Sequence, residues 1–406
     1  MSSKNVSAVT GGVIPKLRFP EFLGQPLHDV QLGDVTEEAT TRNGDKFAAA
    51  SVMGVRKEDG IVPMEERLVA GDISRYKIVR SNWFAYNPMR LNIGSIARWQ
   101  GDDEILVSPD YVVFRCSARA DPTPLIPEYL DHFRSSRQWE AFTNETGDGG
   151  VRIRIYYRDL ARMRLLLPDP DEQQKIADCL SSVDARIAAE ADKLEALKGY
   201  KKGLMQQLFP VPGDTIPSRR FPQFQGVGDW REATLGEFCR MKAGKFVAAA
   251  DIHEQPAGAL HPCYGGNGLR GYTVTFTHSG EYALIGRQGA LCGNVNFVTG
   301  NFHATEHAIV ATPQKGILVE WLFHALVRLN LNDFATGQAQ PGLSVDVLEK
   351  VPCSAPRDVH EQQLIADCLT SVDSMITAQV DKIYALKSHK TGLMQQLFPV
   401  SGQVSA

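Results

Sequence analysis

The chain has 406 residues, with 43% hydrophobic and 22% charged side chains, which is too long for one ordinary core and about right for two domains. Its 43 basic side chains against 47 acidic ones give a formal net charge of −4, which argues against coating nucleic acid by bulk attraction and leaves room for local basic surfaces. No apolar run approaches the roughly 18 residues of a membrane-spanning helix, and the seven cysteines (Cys116, Cys179, Cys239, Cys263, Cys292, Cys353, Cys368) show neither a C-x-x-C pair nor zinc-finger spacing, so they read as reduced small hydrophobes.

Residues 1–15 lack the apolar stretch of a secretory signal and read as a loose tail, so the expected compartment is the cytoplasm. A first domain is expected over residues 16–168, opening with Arg18-Phe19-Pro20-Glu21-Phe22 and Leu32-Gly33-Asp34. Its basic residues gather in two stretches, one around Arg75 to Arg98 and one from Arg152 to Arg164. Arg152-Ile153-Arg154-Ile155 alternates as a strand does, with both arginines on one face, and a helix is expected within Leu125 to Phe142. A long helix follows over residues 169–211, introduced by prolines and acidic residues that suit a helix start and ended by Phe209-Pro210.

After a linker at 212–218, a second domain is expected over 219–355, opening with Arg219-Arg220-Phe221-Pro222-Gln223-Phe224 and containing a buried helix in Leu318 to Leu331. A second long helix is expected over 356–400, stopped at Phe398-Pro399 and followed by a tail at 401–406. Compared with itself, the chain reveals a duplication: residues 172–211 and 361–400 share 28 identities in 40 positions without a gap. Apolar residues recur at spacings of three and four in both copies: Ile176, Leu180, Val183, Ile187, Leu194, Leu197, Leu204 and Leu208, then Ile365, Leu369, Val372, Ile376, Ile383, Leu386, Leu393 and Leu397. Polar residues interrupt both stripes at the same places, Glu190 and Lys201 against Gln379 and Lys390. Two narrow stripes of this kind are satisfied by antiparallel pairing of the two helices, each about 60 Å long if 40 residues rise 1.5 Å apiece. The fold class is therefore α+β, with two mixed sheet-and-helix domains alternating with two paired helices in a pseudo-twofold repeat.

Catalytic chemistry finds little support. Asn87-Pro88-Met89-Arg90 lacks the second proline and the aromatic of the N-P-P-Y signature, and neither a cofactor-binding glycine loop nor a Walker phosphate loop is present. The acidic residues of Pro168 to Lys175 fit a helix start better than a nuclease centre, and His303-Ala304-Thr305-Glu306-His307 has its histidines four apart but lacks the glutamate position of a zinc protease motif, so no metal site is expected. The five tryptophans read as core. Arginine can read guanine and asparagine or glutamine can read adenine, each good pair giving roughly 1–3 kcal/mol of discrimination. The candidates are Arg75, Lys77, Asn87, Arg90, Asn92, Arg98, Arg152 and Arg154 in the first domain, and Asn267, Arg270, Arg287, Gln288, Asn294, His303, Thr305, Gln338 and Gln340 on glycine-rich turns of the second.

With its paired R-F-P-x-F openings and its paired E-Q-Q-x-I-A to L-x-Q-L-F-P helices, the chain resembles the specificity subunits of type I restriction-modification enzymes from about Leu17 to Val400. The phrases Tyr264-Gly265-Gly266-Asn267-Gly268, Gly286-Arg287-Gln288-Gly289, Gly337 to Leu343 and Ser108-Pro109-Asp110-Tyr111 carry the same likeness. The resemblance implies two target recognition domains reading the blocks of a split, asymmetric site in double-stranded DNA. It further implies helices that set the gap between the blocks and dock two methyltransferase (M) subunits, together with restriction/translocase (R) subunits. S-adenosylmethionine, ATP and Mg would belong to those partners, and this chain would be no enzyme. The competing expectations are a specificity subunit of a related system with other cleavage machinery, a coiled-coil assembly adaptor that binds no DNA, and a fused restriction-methylation enzyme.

Overall fold

The computed structural model describes residues 15–118, 120, 123–146, 154–211, 213–289, 291–337 and 341–398. It divides into two compact units, one formed by residues 1–190 with 382–406 and the other by residues 191–381. Each unit therefore takes one half of each long helix. Among the described residues, no helix is long and apolar enough to cross a membrane.

In the first unit, strand His28–Gln31 pairs antiparallel with Arg164–Leu167, tying the start of the first domain to its end. Gly33 lies so close to Ala161 that a Cβ there would sit 3.0 Å from the alanine Cβ, and Asp34 caps its own turn by accepting from the Gln31 N–H at 2.9 Å. The Leu-Gly-Asp motif is thus a buried leucine, a close backbone approach and a cap. A four-stranded antiparallel sheet follows, in the order Thr36–Glu38, Val112–Cys116, Phe84–Tyr86, Ile96–Arg98. The expected helix of Leu125 to Phe142 is two helices, Pro127–Phe133 and Arg137–Glu145, separated because Ser136 caps the second through the Trp139 N–H.

The second unit repeats this plan with different residues. Strand Arg231–Thr234 pairs with Pro352–Ala355, Gly236 packs against Glu349, and Glu237 accepts from the Thr234 N–H at 3.0 Å. Its main sheet runs Cys239–Ala243, Ala308–Pro313, Tyr282–Gly286, Val295–Val298, again antiparallel throughout. Helix Val319–Arg328 buries Trp321, Leu322, Ala325 and Leu326 against it. A second sheet, in the order Gly268–Thr273, His261–Gly265, Asn301–Ala304, His278–Ser279, contains one parallel pairing.

The long helices span Pro170–Leu208 and Val359–Leu397. The second begins later than its Pro356 start signal, because the Pro356 carbonyl is held by the Gln362 amide at 2.9 Å in a non-helical lead-in. Within the first unit, Ile176 and Leu180 share a core with Leu393, Met394, Leu397 and Phe398, so the helix segments run antiparallel. Val183, Ile187, Ile383 and Leu386 are half-buried along the same seam. Within the second, Ile365, Leu369, Val372 and Ile376 meet Leu204, Leu208 and Phe209, with Leu194 and Leu197 half-buried. Lys390 bonds Asp184 at 2.6 Å in one unit and Lys201 bonds Asp373 at 2.6 Å in the other, which accounts for the repeated lysine in the two stripes.

The E-Q-Q motif joins helix to domain. Glu172 takes a two-pronged bond from Arg18 at 2.6–2.7 Å, and Glu361 takes the same from Arg220 at 2.6–2.8 Å, with all four side chains almost wholly buried. The next residue, Gln173, accepts from the Ile126 N–H and donates to the carbonyls of Pro124 and Pro168, while Gln362 does the same with Leu318, Gly316 and Pro356. A histidine completes each joint: His132 bonds Ser181 at 3.0 Å and the wholly buried His324 bonds Thr370 at 3.1 Å. Burial, reinforced by Lys201 and opposed by Asp373, pushes the His324 imidazole down to about 4.

Glu361→Ala, which strands Arg220 in the interior, is expected to destabilise the second unit by about 3–5 kcal/mol in chemical denaturation. Arg220→Met with Glu361→Leu should recover most of that loss. For His324, the unfolded chain takes up a proton near pH 6.5 and the folded chain only near pH 4. Its contribution is therefore full above pH 6.5 and declines as pH falls through that window, by about 3 kcal/mol in all. Denaturation between pH 7 and pH 4.5 should show a shallower pH dependence in His324→Gln than in the unsubstituted chain.

Candidate nucleic-acid interface

In the second unit four loops converge, and glycines stand where they touch. A Cβ on Gly286 would lie 2.1 Å from the Gly266 carbonyl oxygen, and one on Gly266 would lie 3.1 Å from that of Gln288 and 3.2 Å from that of His307. Backbone bonds fasten the cluster: Arg287 N–H to the His307 carbonyl at 2.9 Å, Leu343 N–H to Arg287 at 2.9 Å, Gly289 N–H to Pro341 at 3.1 Å and Thr305 N–H to Tyr264 at 2.9 Å. The turns at 265–268, 286–289, 305–307 and 341–343 thus form one frame with little freedom. On this frame Asn267, Arg270, Gln288 and Asn294 are exposed and Arg287 is half-buried.

His303 and Thr305 lie inside it. The His303 Nε2–H donates to the Lys245 carbonyl at 3.1 Å and Nδ1 accepts from the Thr275 hydroxyl at 2.9 Å, while Thr305 is fully buried and accepts from the His307 N–H at 3.4 Å. Gln338 and Gln340 fall outside the described residues.

In the first unit a comparable cluster forms around the turn from Asn87 to Gly94. Asn87 accepts from the Met89 N–H at 3.0 Å, Arg90 is exposed and Asn92 is half-buried. The Ile155 N–H donates to the Pro88 carbonyl at 3.0 Å, which brings the exposed Arg154 alongside; residues 154–156 are not part of a strand. Arg152 falls outside the described residues. Lys57 packs its stem on Gly94, 3.2 Å from where a Cβ would be, and sits with Arg56 at the tip of the hairpin Met53–Arg56 and Gly60–Pro63. Sequence reasoning passed over these two, although the Asp59-Gly60 step is a strong hairpin signal that would have placed them on a tip.

The other first-unit candidates are held elsewhere. Arg98 is bonded to Glu128, to Asp131 at 3.2 Å and to Asn82 at 2.6 Å, so its charge is spent on fastening the sheet to helix Pro127–Phe133. Lys77 donates to the Tyr111 carbonyl at 2.6 Å, and its half-burial pulls its pKa below the usual lysine range. Arg75 is exposed beside Arg42. All seven cysteines are free, and burial pushes the thiols of Cys116, Cys239 and Cys353 up to about 12. Among the described residues there is no group of three or more His, Cys, Asp and Glu side chains placed to hold a metal ion.

The crowding at Gly286 leads to a contrast between two glycines of the same frame. Gly286→Ala, with no room for a methyl group, should destabilise the second unit by several kcal/mol, about 3 or more. Gly342→Ala, whose Cβ would meet nothing nearer than the Arg287 carbonyl oxygen at 3.7 Å, should change stability by less than about 1 kcal/mol. Thermal or urea unfolding of both variants checks the pair.

Residues 228–387 match the family model described as the type I restriction modification DNA specificity domain. The chain is 36% identical over 229 residues to the EcoprrI specificity subunit of Escherichia coli, a match spanning 54% of this chain and 55% of that protein, so the aligned part is about half of that relative's length. It is 21% identical over 328 residues to the MjaVIII specificity subunit of Methanocaldococcus jannaschii, covering 74% of this chain and 76% of that one. The fold resembles the crystal structure of a type I restriction-modification S subunit from M. genitalium, with TM-score 0.63 and 15% identity over 95% of this chain and 99% of that one. A structure from work on assembly and conformational transition of the type I system aligns at TM-score 0.53 and 18% identity, over 93% and 98% of the two chains. Residues 228–387 thus match the type I restriction modification DNA specificity domain, and the fold of the whole chain resembles that of a solved type I S subunit.

Proposed function

We propose that the chain reads a split DNA site, one block with each recognition domain, and brings partner methyltransferase and restriction subunits to it without catalysing a reaction itself. The observation that carries this reading is the glycine-crowded frame of the second unit. It holds Asn267, Arg270 and Gln288 exposed on a rigid backbone, and these are the residue types suited to bonding adenine and guanine edges. Arg90, Arg154 and Lys57 give the first unit a basic counterpart with different chemistry, so the two blocks differ and the target is asymmetric. Phosphate contacts position such domains and base contacts specify the sequence. The long helices set the gap between the blocks and dock the partners, while S-adenosylmethionine, ATP and Mg are bound on those partners.

The test is a methylome of the host with the gene intact and deleted, read by single-molecule sequencing. Loss of one split, asymmetric methylated motif on deletion is expected, and Arg270→Ala or Gln288→Ala should relax one of its two blocks by about 1–3 kcal/mol per lost base contact. Exchange of residues 219–355 for another member's domain should change that same block alone. A change in both blocks would refute the modular reading, and methylation that ignores the deletion would refute DNA targeting by this chain.

A further inference from the structure

The segment that presents Phe246 is pinned from three directions. A Cβ on Gly244 would lie 2.1 Å from the Ala304 carbonyl oxygen, the Lys245 N–H donates to that same oxygen at 2.8 Å, and the Lys245 carbonyl receives the Nε2–H of His303. Val247 is buried just beyond. Between these anchors the Phe246 ring is 75% exposed, and among the described residues it makes no ring contact.

The other nitrogen of His303 holds Thr275, whose neighbours Val274 and Phe276 are 69% and 52% exposed. One buried histidine therefore ties together two segments that each hold apolar side chains in water. Exposed apolar groups on a backbone this constrained lose little freedom when something packs on them.

What surrounds the ring identifies the occupant. Lys245 is exposed beside it, and its charge, with His303, adds to the larger effect of burial in lowering the pKa of His278. The same strand runs on to Thr305, whose hydroxyl faces Gly265 and so joins this patch to the frame that carries Arg270. A ring with a flat apolar face, next to a lysine and continuous with the loops that carry Arg270, suits a DNA base step flanked by phosphates better than a protein surface.

The first unit carries a partial echo, Lys46-Phe47-Ala48-Ala49 against Lys245-Phe246-Val247-Ala248, each followed by a single 3-10 turn. There Phe47 packs against a small core, and Lys46, bonded to Glu104, lies 4.8 Å over its ring. The free ring belongs to the second unit.

We propose that Phe246 is a wedge that stacks on, and partly opens, a base step at the edge of the block read by the second unit; this rests on the DNA-reading function above. The full chain, in complex with its methyltransferase partners, is titrated onto a duplex carrying the methylated motif with 2-aminopurine at successive positions in and beside that block. The unsubstituted complex should brighten the probe at one step, Phe246→Ala should abolish the increase and weaken binding about tenfold, and Phe246→Trp should retain both. Phe246→Ala should keep the thermal stability of the parent, since the ring it removes is exposed.

An alanine variant that binds and brightens like the parent overturns the wedge while leaving DNA reading intact. One that loses its methyltransferase partners on purification overturns it in favour of protein docking. If the unsubstituted complex binds no duplex, the functional reading fails and the wedge fails with it.

Discussion

The buried ion pair between the opening R-F-P motif and the first turn of a long helix is the constraint on which each unit depends. An arginine and a glutamate out of water stabilise only when their geometry is near ideal and their remaining bonding capacity is met. Both conditions hold: the pairing is two-pronged, and the third guanidinium nitrogen is taken by a backbone carbonyl, Gln25 for Arg18 and Gly228 for Arg220. The glutamine that follows then stitches the lead-in of the helix to the loop before the domain's own helix. Everything between the opening motif and the E-Q-Q turn is thereby closed into a loop whose ends are fixed, and its interior is free to vary so long as it fills the sheet.

That freedom explains how near-identical frames enclose unlike middles. Both main sheets keep one strand order and one set of directions, although the sequences filling them barely resemble each other. The units also differ in what accompanies the main sheet: two antiparallel pairs in the first and a second four-stranded sheet in the second. Exposed polar side chains stand on turns of both kinds, Arg90 and Gln288 between main-sheet strands and Asn267 and Arg270 on the second sheet of the second unit, so they can change without disturbing what holds the domain together.

The repeat, the helix stops and the polar interruptions of the stripe were legible from the sequence because they depend on spacing along the chain. Most of the loop candidates were legible as a set, because glycine-rich turns with amides and arginines are a local signal. What the sequence did not separate was exposed from committed side chains. Arg98 and Arg90 look alike in the chain, yet Arg98 finds Glu128 and Asp131 some thirty residues away and Arg90 does not share that partner set. His303 looks like a surface histidine of a polar loop and is instead a buried brace, since its partners Lys245 and Thr275 come from separate segments. Lys57 and Phe246 were missed for different reasons: Lys57 stands on a hairpin tip that the Asp59-Gly60 step does signal, whereas Phe246 owes its placement to a crowded glycine whose contacts come from a distant strand.

The repeated lysine–aspartate bonds show why the stripe is interrupted at all. An unbroken apolar seam would tolerate sliding by one helical turn, about 5.4 Å, because leucine meets leucine in either register. Lys390 reaches Asp184 in one unit and Lys201 reaches Asp373 in the other, and a slip of one turn parts either pair. Such half-exposed pairs add little net stability. Their effect is on register, since every slipped arrangement leaves a charge facing the seam without its partner. The third pair, Glu190 with Lys382, has no mirror image, because the position matching Glu190 is Gln379. Twelve of the 40 paired positions differ between the two copies, this one among them, while both lysines and both aspartates are kept.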